Sequence, residues 1–573
     1  MRYLRPLALL VLALLSTVAS AQISGVSGIV SEPDLNTPSG GPPERIVYDA
    51  DGRFARETPT EIRAEWFGAA GDSTSDDTAA LRAAIAYAGP LQRPVVLTPG
   101  ARYRITGKLW LHEHYSSIFG QGASILVDVD SIAIIAQRTT VDATQPVENV
   151  RIDGLTVRSI NGKGPNSSGY IQLNRCIDCT VSNVLIEGDA AALTARNRLA
   201  NGISTSNGSG VVFSAVTVDG VSKPGIYFAN GTEYARCIGC VVRGVSGPLG
   251  DQPGFYISGN TNIELVGCES YDNQGHGVQV STDGFPSPDG TGTRHVRIVG
   301  GAFHDNGSNG LNVGHLSNKR VEDLLVTGGS YYANSNHGIN IASGERVVID
   351  AVQAYENDVA GVMLDNNSGA LTRSTVQNSH IYNNNVTSSY GGIVMRGTHY
   401  ARAVDNWLYD DQDTKTQDYG FLFIVGTGDV ANRHLYIEGN QIGDHALAHF
   451  GGSTTSTIDE TTGYISAWRA GSPQNINWHF PLRSLVLDTT TGREWVKEAT
   501  GTAGWRRRTH QSMGTQTVNM AETTFAHGLG YAPGQVTVTS FANQTVWQTR
   551  AADATNVYLS ASADGTTVRI HVK

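Results

Sequence analysis

The chain has 573 residues, 52 acidic against 41 basic side chains, a formal net charge of −11, 66 glycines and only 16% charged residues. An acidic chain lacks the basic face that nucleic acid or an anionic lipid surface requires, and 40% apolar residues suffice for a core, which excludes intrinsic disorder. The length exceeds one ordinary globular core and requires either several domains or one elongated repeat.

Residues 1–21 read as a secretory signal peptide. Arg2 and Arg5 form a positive start, residues 6–18 form a short apolar run, and Ala19-Ser20-Ala21 is a small-x-small cleavage site. The run is too short to span a bilayer. Its removal takes two positive charges and leaves the mature chain at −13 (−11 − 2). No later stretch is apolar for long enough to cross a membrane, so an exported protein without a membrane span is predicted.

Residues 22–63, rich in Ser, Gly and Pro, read as a flexible lead-in. A helix is predicted from about Thr78, capped by Asp76 or Asp77, with Leu81, Ile85 and Ala88 on one face. The stretch PVVLTPGARYRI then reads as strand, turn, strand, followed by a Gly120-x-Gly122 turn.

From about residue 150 a repeat emerges. A glycine precedes a hydrophobic-x-hydrophobic triplet at Gly225, Gly254, Gly277, Gly310, Gly338, Gly361, Gly392 and Gly420, with spacings of 29, 23, 33, 28, 23, 31 and 28 residues. A second short β pattern, usually ending in Asn, lies between the triplets. Helical repeats would show a 3.6-residue apolar period instead. Period-two triplets at this spacing fit the coils of a parallel β-solenoid, in which each coil buries its face only by stacking on the next.

The stretch WFGAAGDSTSDDTAALRAAI, then VVLTPGARYRI, then Gly120-x-Gly122, resembles the opening of the pectate-lyase superfamily. That group includes polysaccharide lyases, family-28-like glycoside hydrolases and phage tailspikes. The motif covers roughly residues 64–125, and the repeat extends the likeness to about 445. The resemblance implies an all-β fold: a right-handed single-stranded parallel β-helix over 64–450, with an N-terminal capping helix. A connector at 451–508 and a small β-sandwich-like module at 509–573 resemble the distal parts of phage tail fibres and imply a homotrimer. The fold hosts many chemistries, so reaction type must come from the residues.

In each triplet the middle residue points outward. Stacking therefore predicts an outward column of Tyr227, Tyr256, Gln279, Asn312, Asn340, Met363 and Val394. The residue before each Gly forms a second column: Pro224, Pro253, His276, Asn309, His337, Ala360 and Gly391. Tyr rings pack on the apolar faces of sugars, and Asn and Gln bond hydroxyls, so Tyr227, Gln279, Asn312 and Asn340 are candidate substrate-binding residues for an extended glycan. Outward Asn and Tyr also serve as ordinary solenoid surface.

Two chemistries compete for this surface. A lyase acting on an acidic, uronate-containing polysaccharide must neutralise a carboxylate, remove a proton and protonate a leaving oxygen. His276 or His337 is then the candidate base and Tyr256 the acid, with Lys223, Arg243, Arg320 or Arg396 holding the carboxylate. A hydrolase instead needs two carboxyl groups flanking the bond. Asp251, Asp272, Asp283, Asp305 and Asp365 are candidates, with Asp272 and Asp305 on successive coils at matching YDN and HDN turns. Each of these residues has a plain alternative: a surface histidine, or an Asp that caps a turn. Gly275-His276-Gly277 matches a family-28 motif, but its paired-Asp partner is missing. A C5 epimerase would share the lyase residues, and a tailspike-like adhesin would bind without cutting.

No cofactor is demanded by any motif. The acidic run DDQDTKTQD at 410–418 could hold Ca²⁺, although it lacks EF-hand spacing and reads better as a solvated loop. Five cysteines include Cys176-x-x-Cys179 and Cys237-x-x-Cys240. Both pairs are read as preceding equivalent strands two coils apart. That is too far for a shared zinc ion or for a disulfide between pairs, so buried structural cysteines and no metal are predicted. The predicted protein is a secreted polysaccharide lyase, with a hydrolase or a glycan-binding adhesin as the alternatives.

Overall fold

The structure, a computed structural model, describes residues 59–452 apart from 139–144, 167, 283–291, 315–319, 367–370, 388–389, 426–430 and 444, together with separate segments at 45–48 and 54–57 and between 463 and 572. The signal peptide, most of the lead-in and Asp283 lie outside the described residues.

The described chain is a right-handed parallel β-helix. Each coil contributes one strand to each of three parallel sheets. In one coil, Ile226–Ala229 lies in the first sheet, Glu233–Ile238 in the second and Val241–Arg243 in the third. The next coil repeats this with Phe255–Ser258, Thr261–Val266 and Glu269–Tyr271, each strand in parallel register with its predecessor. Among the described residues the first sheet has 13 strands and the third 14.

The triplets make the core. Ile226, Phe255, Val278, Leu311, Ile339, Val362, Ile393 and Phe421 stack in one inward column, and all are fully buried. Each such side chain contributes about 1.5–3 kcal/mol of burial. Period two leaves no freedom of register, because a one-residue slip would turn the whole column to solvent.

Two kinds of turn join the sheets. The turn from second to third sheet is short and contains a left-handed residue, for example Asn183 at φ +52° and Gly239 at φ +59°. The turn from third to first sheet carries a buried amide ladder. Asn273 Nδ2 donates to Asn306 Oδ1 (2.9 Å), Asn306 to Asn334 (3.0 Å), Asn334 to Asn357 (2.9 Å) and Asn357 to Asn384 (2.8 Å). These are the asparagines that close the second β pattern in the sequence.

The predicted helix forms as Thr78–Ala88 (α1), with Leu81, Ile85 and Ala88 buried together with Ala84. Asp76 Oδ1 accepts from the Thr78 N–H (3.0 Å), while Asp77 turns to the N–H groups of Ala70 (2.6 Å) and Gly71 (3.3 Å). α1 packs on the first coil and covers its open end, where unpaired strand edges would otherwise be exposed.

Parallel stacking runs past residue 450, since Gly463–Arg469 pairs with Leu435–Glu438. An antiparallel meander of Leu485–Asp488, Arg493–Lys497 and Trp505–Arg507 follows. Beyond it, two three-stranded antiparallel sheets enclose Val557, Leu559, Val568 and Ile570, a sandwich-like module. No described helix is long and apolar enough to cross a membrane.

The cysteines require a correction. The two CxxC motifs do not precede equivalent strands. Cys179 leads into a second-sheet strand, Thr180–Ser182, whereas Cys240 leads into a third-sheet strand, Val241–Arg243. The first motif sits at the entrance to the second sheet and the second at its exit. All five sulfurs are buried, as expected. Cys176 and Cys179 are joined by a disulfide within the motif, with Cα atoms 5.9 Å apart. Asp178 at φ +52° curls the turn and brings them together.

Candidate functional site

The outward column of the first sheet stacks in the predicted order from Tyr227 to Val394. Tyr227 and Tyr256 lie ring on ring, centroids 5.0 Å apart and planes 10° apart. Burial, with Tyr256 alongside, pushes the Tyr227 phenol up to about 12, so it keeps its proton in neutral solution. Next come the amides. Asn312 Nδ2 donates to Gln279 Oε1 (2.7 Å), and Asn340 Nδ2 donates to Asn312 Oδ1 (2.8 Å). The three side chains thus form a half-buried polar stripe that continues the tyrosine pair.

The stripe ends at the next two positions of the column. Met363 and Val394 are buried rather than open. With Ala360 they form an apolar cluster, covered by Tyr390, Leu422 and Ile424. Tyr390 comes from the turn before the strand Gly391–Arg396 and reaches back over the column.

The second column also forms, and its side chains tie one coil to the next. His276 Nδ1 accepts the Asn309 N–H (3.2 Å), Asn309 Oδ1 accepts the His337 N–H (2.9 Å), and His337 Nδ1 accepts the Ala360 N–H (3.2 Å). Each member stands three residues after an asparagine of the buried ladder, so the ladder holds this column in place. An accepting Nδ1 fixes the proton of both neutral imidazoles on Nε2. His276 Nε2 faces Asp251 Oδ2 at 3.5 Å. That hydrogen bond holds the Asp251 carboxyl below its usual range, against the opposing effect of burial. Asp251 arrives on a longer turn at φ +42°. His337 is pushed down to about 4 by burial and by the nearby Arg396 charge. Both histidines are therefore N–H donors at this surface.

The predicted cations separate into groups. Arg396 pairs with Asp365 on the neighbouring strand (3.1 Å). Arg243 bonds Asp219 and the Tyr271 hydroxyl on the third sheet, and Arg320 lies 3.7 Å from Glu345 beside the second sheet. Lys223 differs. It is half-buried, stands four residues before Tyr227, and has no acidic partner among the described residues. Burial pulls its ammonium below the usual lysine range.

Asp272 and Asp305 stack on successive coils as predicted, with the Asp272 N–H bonding Asp305 O (3.2 Å). They stand at the third-sheet end of the turn, not beside His276. Asp305 Oδ2 binds His304 Nδ1 at 2.6 Å, while His304 Nε2 faces Glu269 at 3.3 Å. Asp410 of the acidic run caps its own turn, accepting the N–H groups of Gln412, Thr416 and Gln417, and no three carboxylates converge there among the described residues.

The third sheet holds a feature that sequence reasoning missed. Tyr271, His304, Tyr332, Tyr355, Tyr382 and Tyr409 form an outward ladder of stacked rings, centroids 4.5–5.0 Å apart and planes within 6°. The signal was present in the ring residue that precedes each Asn-ladder turn.

Residues 62–279 match the family model described as rhamnogalacturonase A/epimerase, pectate lyase-like. Similar solved structures include the A-module of the Azotobacter vinelandii mannuronan C-5 epimerase AlgE4, 15% identical, covering 68% of this chain and 100% of that one with a TM-score of 0.49. The Streptococcus pneumoniae surface adhesin PfbA is 13% identical over 78% of this chain and 99% of that one, TM-score 0.47. A variant tailspike of the E. coli bacteriophage HK620 is 11% identical over 90% of this chain and 93% of that one, TM-score 0.46. No curated protein matches the sequence.

Proposed function

For a pectate-lyase-like parallel β-helix protein with one open polar stripe, we propose that the first sheet binds an extended acidic polysaccharide and that the chain cleaves it by β-elimination. The observation that carries this reading is Lys223: a half-buried cation with no acidic partner among the described residues, four residues before the first of the stacked tyrosines. A uronate carboxylate would complete that charge.

The residues divide the work. Lys223 holds the carboxylate and stabilises the negative charge that builds on it as the C5 proton leaves. Tyr256, as the phenolate, takes that proton; the C4–oxygen bond breaks, a C4–C5 double bond forms, and the proton gained by Tyr256 passes to the departing oxygen. Tyr227, which keeps its proton, stacks on Tyr256. His276 acts as a donor that fixes Asp251, since its Nδ1 lone pair is taken by the Asn309 N–H. Gln279, Asn312 and Asn340 bond sugar hydroxyls farther along. The hydrolase reading is weaker, because Asp272 and Asp305 stand at the other sheet, and Asp251 and Asp365 each face a histidine or an arginine. Epimerisation shares the first proton transfer and differs only in returning the proton to the opposite face of C5. Export, and a homotrimer built on the C-terminal module, belong to the same proposal.

Incubation with pectate, alginate, hyaluronan and bacterial capsules, with and without Ca²⁺, tests it. Ultraviolet absorbance of an unsaturated uronate, abolished by Lys223→Met, is the expected result. New reducing ends without that absorbance would replace elimination by hydrolysis. Altered C5 configuration without cleavage would identify an epimerase. Retention on an immobilised glycan with no product would leave a binding protein. Light scattering of the purified chain measures the trimer.

A further inference from the structure

Cys237, Cys240 and Cys268 bring their sulfurs within 4.8 Å of one another, and all three are buried. The placement follows from the coil. Cys237 is the last inward residue of the second-sheet strand Glu233–Ile238. Gly239, left-handed at φ +59°, turns the chain so that Cys240 opens the third sheet. Cys268 occupies the Cys240 position one coil later, because the Glu269 N–H bonds the Cys240 carbonyl (2.8 Å). Two sulfurs come from one turn and the third from the turn stacked on it. Among the described residues no other three Cys, His, Asp or Glu side chains converge in this way.

The geometry suits an ion. Sulfurs bound about 2.3 Å from one centre lie about 3.8–4 Å apart, and the three sulfurs here already lie within 4.8 Å of one another. The Cys268 thiol lies 3.3 Å from the Cys237 carbonyl, and the Cys240 thiol lies 3.6 Å from the Phe213 carbonyl. A cation bound by the three sulfurs would displace their protons.

The other CxxC motif is the internal contrast. Cys176-Ile-Asp-Cys179 has the same spacing and the same left-handed third residue, and it is closed as a disulfide. The next coil offers it Gly208 and Val211, with no third sulfur. A disulfide in the second motif would use two sulfurs and strand the third, whereas an ion engages all three.

We propose that Cys237, Cys240 and Cys268 bind one thiophilic d¹⁰ ion, zinc(II) or copper(I), which pins two successive coils together. Soft thiolate donors select these ions. The strand Phe255–Ser258, which carries Tyr256, lies in the chain between Cys240 and Cys268, so the ion would fix the coil that presents it.

The test uses the full chain produced in medium supplemented with zinc or with copper. Metal per chain, thiols alkylated after denaturation with chelator, and X-ray absorption of the bound metal are measured. The expected result is about one ion per chain with three sulfur ligands at roughly 2.3 Å, three alkylatable thiols, and at least a tenfold fall in metal content in Cys268→Ser. Which medium loads the site distinguishes zinc from copper. No metal in either medium, a shell without sulfur, or a mass showing a second disulfide would overturn the proposal. Should Cys268→Ser fail to fold, the absorption spectrum and metal content of the unmodified chain still decide.

Discussion

The first and third sheets are built from the same coils, and both stack rings outward, yet they present different surfaces. On the third sheet six rings stack without a break. Each face is covered by its neighbour, so only ring edges and hydroxyls meet solvent, and the flanking charges are paired, as Arg243 is with Asp219. On the first sheet the stacking stops after two rings and gives way to amides, and Lys223 of the same coil as Tyr227 has no acidic partner among the described residues. A solenoid gains stability by repeating a side chain in register. Binding and chemistry require the repeat to break, because a ring face or a charge becomes available only where the next coil does not supply its partner.

Substituting one cation on each sheet gives the sharpest test. Lys223→Met should lower kcat/KM on the acidic substrate by about a hundredfold to a thousandfold, the cost of leaving a bound carboxylate without its charge partner. Arg243→Met should change it by no more than about twofold, since a half-exposed surface pair contributes little. Equal losses would erase the distinction between the sheets.

The two histidines of the second column differ in a measurable way. His337 titrates at about 4 in the fold and near 6.5 in the unfolded chain. Between these values the unfolded chain binds more protons, so stability is fully present above about pH 6.5 and is lost as pH falls to about 4, by about 3 kcal/mol in all. His337→Asn, the residue found one coil earlier at Asn309, should flatten that acid limb in thermal melts recorded across the range. An unchanged limb would assign the acid sensitivity to other groups.

The buried amide ladder should respond more than the exposed amide stripe. Asn306→Ala removes bonds to Asn273, Asn334 and the Ser270 carbonyl and should cost about 2–3 kcal/mol, with faster hydrogen exchange in the turns on either side. Asn312→Ala, half-buried on the surface, should cost less than about 1 kcal/mol while weakening glycan binding.

Much of this was legible in the residues. Glycine before each apolar triplet anchors the register, and period two then dictates which residue faces out, so the column from Tyr227 to Asn340 followed from spacing. Openness did not follow, because it depends on what the turns bring over the sheet: Tyr390 covers Met363 and Val394, and the longer turn after Gly247 delivers Asp251 to His276. Cys268 was missed because a lone cysteine has no motif, and its partnership with Cys240 exists only through coil register. The YDN and HDN turns drew attention to their aspartates, although the stacked ring one position earlier is the structural element.

The ring ladder itself allows the finest test. Tyr355 stacks on Tyr332 at 4.8 Å and on Tyr382 at 4.9 Å. Tyr355→Leu keeps an apolar side chain but removes both ring contacts, each worth about 0.5–1.5 kcal/mol beyond the area buried. The leucine recovers part of that loss by packing between the two remaining rings, so a net cost of about 1 kcal/mol is expected, read as a small fall in Tm. Activity on the acidic substrate should not change, because the ladder's ring faces are already occupied and offer a sugar nothing to stack on. Were Tyr355→Leu to reduce glycan binding as strongly as Tyr256→Leu, ring edges would be contacting substrate, and the binding surface would extend around the solenoid from the first sheet to the third.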